Sequence, residues 1–411
     1  MIKIGKAFLT VDNGKARLSA MVSLPQGETE LFYETDEEYG KWFVSDVADP
    51  FVIAVMLPAL VAGEDIQVEC ISDRLYHNFK TIMYLLGKAF GYSPIGICAQ
   101  SVVSPDYRAE GVGTGFSGGV DSFATYVNHT SASCPASMRI THLALFNVGA
   151  YGNDLEKTQE AFLSDLERAR NFAQEVNMPL IPLNSNLSSI YIHKDIYHYS
   201  LRTTLCISSA IMSLQKLFSL YYISSSNTIE DCKLSAYDQY WYEGLLVQLL
   251  STKNTEILIA EHDLNRVEKT LLLLDNPYAQ KHLYVCAAPI MNEKHGKNYK
   301  NDTSPNCCEC PKCIRTLLAI DIAGKLDAFA ERFDIEKWKS IRDREIALMY
   351  LNRNGNHFVA ENWELFNRSG HSLTACQQKL VKQIYSDWYP SLYRVLKRRA
   401  RRFLQKVGVW K

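Results

Sequence analysis

The sequence predicts an α/β protein built on a doubly wound, mostly parallel sheet. Two patterns carry that expectation. From residue 111 onward, short apolar strands alternate with helices of 3.6-residue period, and the first strand–helix junction is a turn rich in glycine and serine, FSGGVDS over 116–122. A third pattern, the period-two alternation of the opening residues, sets off an N-terminal α+β domain over 1–110.

In the opening run KAFLTVDNGKARLSAMVSLPQGETELFYE, Asn13-Gly14 and Gln26-Gly27 stand at turn positions, which gives antiparallel strands. Residues 51–60 and 75–90 read as helices. The first lies in the longest apolar run, 51–63, which is too short to span a bilayer and contains Pro58, so it is expected to be buried in the core. With no catalytic constellation before residue 110, a structural or substrate-facing cap is the expected role there. Beyond it the expected strands are 111–116, 139–148, 178–185 and 220–226, with 256–262 and 282–286 as further short ones. The helices between them are 121–130, the amphipathic 155–176 and a buried 201–218. Residues 315–333 are helical, and 334–411 are polar and aromatic. Three domains follow: 1–110, 111–320, and a helical C-terminal extension over 321–411.

A formal net charge of −1 over 411 residues rules out a protein that binds polyanions with its whole surface. The charge is uneven, however. From Arg394 to Lys411 there are eight basic residues and no acidic one. Leu396, Phe403 and Leu404 are mixed among them, so this tail is either an amphipathic helix for nucleic acid or an acidic partner, or a solvated terminal helix. The N-terminus lacks the apolar stretch of a signal peptide, and a cytoplasmic location with no membrane association is expected.

The turn over 116–122 is built for phosphate. Gly118 and Gly119 remove side chains, so backbone N–H groups can approach an anion. Ser117 and Ser122 add hydroxyls, Val120 completes the loop as a further phosphate contact, and the positive end of the following helix points to the same place. Asp121 would repel a bare phosphate; its sensible role is to hold a Mg²⁺ that bridges phosphates. No Gly-Lys-Ser/Thr follows, which excludes the P-loop of GTPases, and the G-x-G-x-x-G of dinucleotide sites is absent. Instead the run matches S-G-G-x-D-S and resembles the PP-loop, or N-type ATP pyrophosphatase, superfamily. That resemblance implies an adenine nucleotide alpha hydrolase-like fold with ATP and Mg²⁺ as ligands. It also implies a reaction: an acceptor oxygen attacks the α-phosphorus of ATP, pyrophosphate leaves, and a nucleophile then displaces AMP.

Four of the eleven cysteines crowd into seven residues, and the spacing Cys307-x-x-Cys310-x-x-Cys313 is that of a metal knuckle. Tetrahedral zinc needs a fourth thiolate. Cys308 is adjacent to Cys307, and neighbouring side chains in an extended turn point apart, so Cys286 is the preferred ligand. An iron–sulfur cluster on three cysteines is the alternative. The run NCCECPKCIRT over 306–316 resembles the N-C-G-x-C-x-K-C-x-R-T of relatives of 7-cyano-7-deazaguanine synthase, with Cys308 in place of glycine.

Arg266 and Lys269, three apart in HDLNRVEK over 262–269, share a helix face and would neutralise the α-phosphate or the leaving pyrophosphate. A solvated face with Glu268 is the plainer alternative. Ser224, Ser225, Ser226 and Asn227 close one strand and Asn147 another, as possible nucleotide or acceptor contacts. His198 is a further candidate contact, and His193 is expected to be structural. Three functions are expected in turn. The first is an AMP-forming, ligase-like enzyme acting on a carboxylate and a nitrogen nucleophile to give an amide or nitrile. The second is a PP-loop tRNA-modifying enzyme, and the third is a zinc-stabilised ATP-binding interaction module without turnover. The segments flanking 111–320 suit a larger acceptor than a small molecule, such as a peptide or protein, and a homo-oligomer is compatible with the sequence.

Overall fold

The computed structural model describes residues 1–152, 155–289, 291, 298–299 and 304–387. The basic tail from Arg394 lies outside them. The chain divides into two compact units, Met1–Asn265 and Arg266–Lys411. This division differs from the expected boundaries at 110 and 320, and the sheet supplies the reason.

One mixed, mostly parallel sheet of eleven strands belongs to the first unit. In chain order the strands are β1 (Ile2–Ile4), β2 (Phe8–Asp12), β3 (Lys15–Leu24), β4 (Gly27–Asp36), β5 (Ile66–Ser72), β6 (Ile97–Val103), β7 (Gly111–Gly115), β8 (His142–Asn147), β9 (Leu180–Ser185), β10 (Phe218–Ser224) and β11 (Glu256–Ala260). Their order across the sheet is β11-β10-β7-β8-β9-β4-β3-β1-β5-β6, with β2 on β3. β7 to β11 pair in parallel, as do β1, β5 and β6, and an antiparallel meander through β3 and β4 joins the two parallel parts. The meander was legible in sequence: Asn13 and Gly14 both take positive φ, 49° and 73°, as a tight hairpin turn requires.

The seam between β4 and β9 rests on two residue pairs, Tyr33↔Ser185 and Glu34↔Asn184. Side chains extend it. Thr35 Oγ1 donates to Pro182 O at 2.6 Å, Ser185 Oγ to Phe32 O at 2.5 Å and Asn186 Nδ2 to Glu30 O at 2.7 Å, while Phe32 N donates to Asn186 Oδ1 at 3.0 Å. Residues 1–110 therefore continue the sheet that carries FSGGVDS. β5 and β6 were not expected; β6 is an edge strand with Ile97 and Ala99 half-buried and its other residues exposed, too weak a pattern to read.

The helices of this unit are α1 (Asp49–Ala62), α2 (Asp73–Phe90), α3 (Val120–Thr130), α4 (Leu155–Glu175), α5 (Thr203–Ser213) and α6 (Glu243–Leu250). Every residue of α1 from Asp49 to Leu60 is buried, in agreement with its apolar run. Pro58 lacks the N–H that would bond the Ala54 carbonyl, and the Tyr191 hydroxyl donates to that carbonyl instead, at 2.6 Å. Asp49 is fully buried at the start of α1, where it accepts Ser72 N at 2.9 Å and Gln215 Nε2 at 3.1 Å. Burial pushes its carboxyl up from the ordinary value.

The second unit is helical among the described residues: α7 (Arg266–Leu272), α8 (Pro277–His282), α9 (Pro311–Ile322), α10 (Ile335–Asn352) and α11 (His357–Arg368). Trp338 is its largest fully buried side chain and donates Nε1–H to Asp321 Oδ2 at 3.0 Å. The strand expected over 282–286 is not formed. That extended segment is held by side chains in place of a ladder. Asn306 Oδ1 accepts Val285 N at 2.8 Å, and Leu283 O accepts both Asn306 Nδ2 at 3.1 Å and Arg332 Nε at 3.1 Å. Among the described residues, no helix is long and apolar enough to cross a membrane.

Candidate functional site

The strand order reverses at β7. β8 and β9 lie on one side of it, and β10 and β11 on the other. Neighbouring connections leave the carboxyl end of such a strand in opposite directions and open a crevice there, where α/β sheets bind ligands. The residues at that carboxyl end are Phe116, Ser117, Gly118, Gly119, Val120, Asp121 and Ser122, between β7 and α3.

Local sequence explains the turn. Gly118 takes φ 75°, a left-handed conformation that is costly for any residue with a Cβ. Gly119 is extended and caps α3. Gly119 N donates to Ser117 Oγ at 3.4 Å, and Ser122 Oγ lies 3.4 Å from Ser117 Oγ and donates to Gly119 O at 3.1 Å. Ser117 is exposed, Asp121 is half-buried in the first turn of α3, and Ser122 is buried. Phe116 anchors the turn from below: its ring stacks on Phe172 at 4.1 Å and meets Phe123 edge-on at 5.0 Å. The strand beneath is itself unusual, GVGTG. A Cβ at Gly113 would stand 2.5 Å from Phe218 Cε1, so glycine admits the aromatic packing of β10.

The neighbouring strand ends are polar. Asn147 is buried at the end of β8 and donates Nδ2–H to Asn184 Oδ1 at 2.8 Å. Ser224 Oγ lies 2.8 Å from Thr125 Oγ1, and Ser225 Oγ donates to Glu261 O at 2.8 Å. Glu261, just past β11, was missed in the sequence. Its buried carboxylate binds α3 through Thr125, Asn128 Nδ2 at 3.4 Å and His129 Nε2 at 3.1 Å, with His129 stacked on Tyr222 at 3.9 Å. The only sequence signal was an acid at the end of an apolar strand.

The second constellation lies in the Arg266–Lys411 unit. The Sγ atoms of Cys286, Cys307, Cys310 and Cys313 all lie within 4.8 Å of one another, and all four residues are buried. Cys310 caps α9 and Cys313 sits in its first turn, so a helix N-terminus faces the sulfurs. Backbone N–H groups donate to them as well: Cys310 N to Cys307 Sγ at 3.2 Å, Ala288 N and Cys307 N to Cys286 Sγ at 3.4 and 3.5 Å, and Ala287 N to Cys310 Sγ at 3.5 Å. Hydrogen bonds from Cys286, Cys307 and Cys313 hold the Cys310 thiol far below its ordinary range. Four convergent buried sulfurs, their closure and the tetrahedral count fit a metal such as zinc.

Cys308 stays out of this set. It takes φ 64°, and its Sγ turns to Asn306 O at 3.3 Å. Glycine adopts this left-handed conformation without the strain a Cβ brings. Asn306, quoted only as the start of that run, is fully buried and ties the knuckle to 283–285 and to Arg332.

Arg266 and Lys269 also belong to the second unit, on α7, whereas the glycine turn belongs to the first. Lys269 is 1% exposed, so it does not lie on a solvated face. Arg266 lies 5.7 Å from the Phe358 ring, which Arg315 covers at 4.2 Å, and its backbone N–H donates to Glu361 Oε2 at 3.1 Å. Burial raises the Glu361 carboxyl despite these cations. In the first unit, His193 Nδ1 lies 3.8 Å from Asp195, and His198 lines a cavity of about 390 Å³ with Lys194, Asp195 and Ser200. No protein-family model matches the chain, and no curated protein or solved structure matches it.

Proposed function

We propose that the β7–β11 part of the sheet is a doubly wound PP-loop fold and that the turn over 116–122 binds ATP·Mg²⁺. The observation that carries this reading is the coincidence of FSGGVDS with the reversal of strand order at β7, on a left-handed glycine and a helix N-terminus. Ser117, Gly118, Gly119, Val120 and Ser122 surround the phosphates, and Asp121 holds the metal. Zinc on Cys286, Cys307, Cys310 and Cys313 is structural, since four protein ligands leave no open position. The reaction is adenylation of an acceptor carboxylate with loss of pyrophosphate; a nitrogen nucleophile then bonds to the acyl carbon as AMP leaves, giving an amide, and a nitrile would take a second adenylation of the amide oxygen, which leaves with AMP. A cytoplasmic protein suits this use of ATP and reduced thiols. Incubation with ATP, Mg²⁺ and fractionated cell extract should release pyrophosphate and AMP. Release of ADP and phosphate would exclude the mechanism.

A further inference from the structure

The strand β2 is exposed on both faces. Every residue from Phe8 to Asp12 is exposed, the apolar Phe8, Leu9 and Val11 by 45%, 41% and 54%. Edge strands are commonly blunted by proline, a bulge or a covering segment. β2 has no proline and runs in unbroken register with β3, from Phe8↔Ser19 to Asp12↔Lys15. Among the described residues, no strand pairs with its other edge.

The turn fixes which backbone groups stand on that edge. Asn13 and Gly14 form a two-residue turn closed by the pair Asp12↔Lys15, so Asp12 bonds to β3. Successive residues of a strand direct their N–H and C=O groups to opposite sides. Phe8, Thr10 and Asp12 therefore bond to β3, and Leu9 and Val11 hold theirs toward the open edge. Charge adds a second, independent pattern. Lys6 is exposed and makes no ion pair among the described residues. Asp46 and Glu69 share a cavity with it, but Asp46 already accepts the Tyr107 hydroxyl at 2.8 Å. Asp12 is exposed, and its Oδ2 accepts Asn13 Nδ2 at 2.8 Å, which leaves Oδ1 for another donor.

We propose that β2 pairs antiparallel with β2 of a second copy of this chain, about a twofold axis at Leu9. In that register Leu9 faces Leu9 and Val11 faces Ala7, so the outward backbone groups of the two copies bond to each other. Lys6 of each copy stands opposite Asp12 of the other, and Phe8 opposite Thr10. Opposite charges and an aromatic beside a β-branched side chain are both favourable cross-strand pairs. Twofold axes at Ala7, Phe8, Thr10 or Val11 set no opposite charges face to face. A second copy fits this edge because one short segment carries both charges, as a self-complementary interface requires. A contact of about seven residues a side is smaller than a standard interface, so the dimer forms at roughly tens of micromolar.

Sedimentation velocity of the full chain, from about 1 to about 300 µM, tests the pairing. The weight-average mass should rise with concentration from one chain toward two. Lys6→Glu and Asp12→Lys should each weaken the dimer by roughly 5-fold or more, because each turns two attractive pairs into repulsive ones. The two together should restore it to within about 2-fold. Leu9→Pro removes an N–H that faces only the open edge, and should abolish the dimer with an unchanged circular dichroism spectrum. A monomer at every concentration would leave this edge to a different chain and overturn the proposal. So would a dimer indifferent to all of these substitutions, whose interface lies on another face. A dimer strengthened by Lys6→Glu would also overturn it, since the lysine would then be guarding the edge against pairing.

Discussion

The glycine turn of the first unit and the cysteine knuckle of the second use the same local device for opposite ends. Each places a left-handed residue, Gly118 or Cys308, just ahead of a helix N-terminus. At Gly118 the device leaves Ser117 exposed and Asp121 half-buried at the mouth of a crevice. At Cys308 it turns one thiol away so that four others close on each other in the interior. A site that receives a ligand keeps its polar groups open to solvent, whereas a site that holds structure saturates them internally.

The largest way to break the comparison is at the knuckle. Cys310→Ser or Cys313→Ser should remove bound zinc, measured by elemental analysis, and unfold the second unit in a thermal melt, since structural zinc contributes on the order of 10 kcal/mol. Retained zinc at one per chain would take these thiols out of the ligand set. Next in size is Asp121→Asn, which should cut pyrophosphate release by about 100-fold or more with an unchanged circular dichroism spectrum, because the proposed role of its charge is to hold the metal. A comparable loss of secondary structure would make Asp121 a folding residue instead.

The two left-handed positions give the subtler tests, and they carry opposite signs. Gly118→Ala should destabilise by about 1–2 kcal/mol and weaken ATP by roughly 10-fold, as a Cβ is forced into positive φ. Cys308→Gly relieves the same strain and should stabilise by up to about 1 kcal/mol with zinc content unchanged. Zinc loss in Cys308→Gly would bring that thiol back into the ligand set.

Both local structures were legible because each is short: seven consecutive residues for the strand–helix turn, and a close cysteine spacing plus one distant partner for the knuckle. Cys286 was preferred to Cys308 because adjacent side chains point apart and because it was expected to end a strand; the strand is not formed, but the backbone at Cys308 agrees with the first reason. What was not legible depends on residues far apart in sequence. The β4–β9 seam is built by Thr35, Ser185 and Asn186, and no local pattern pairs residues that lie so far apart in the chain. The segment 282–286 reads as a strand because its composition suits extended backbone, but Asn306 and Arg332 supply the partners a strand would have supplied. Glu261 was hidden for a related reason: its role appears only when α3 is packed on β10 and β11, where Thr125, Asn128 and His129 converge.

The claim that everything else leans on is that FSGGVDS is the nucleotide site. Amide hydrogen exchange over 115–122 tests it without knowledge of the acceptor. Addition of ATP·Mg²⁺ should slow exchange at Gly118, Gly119 and Val120, whose N–H groups would be donating to phosphate, and Asp121→Asn should erase the effect. Unchanged exchange in this turn, with protection appearing elsewhere in the chain, would contradict the account.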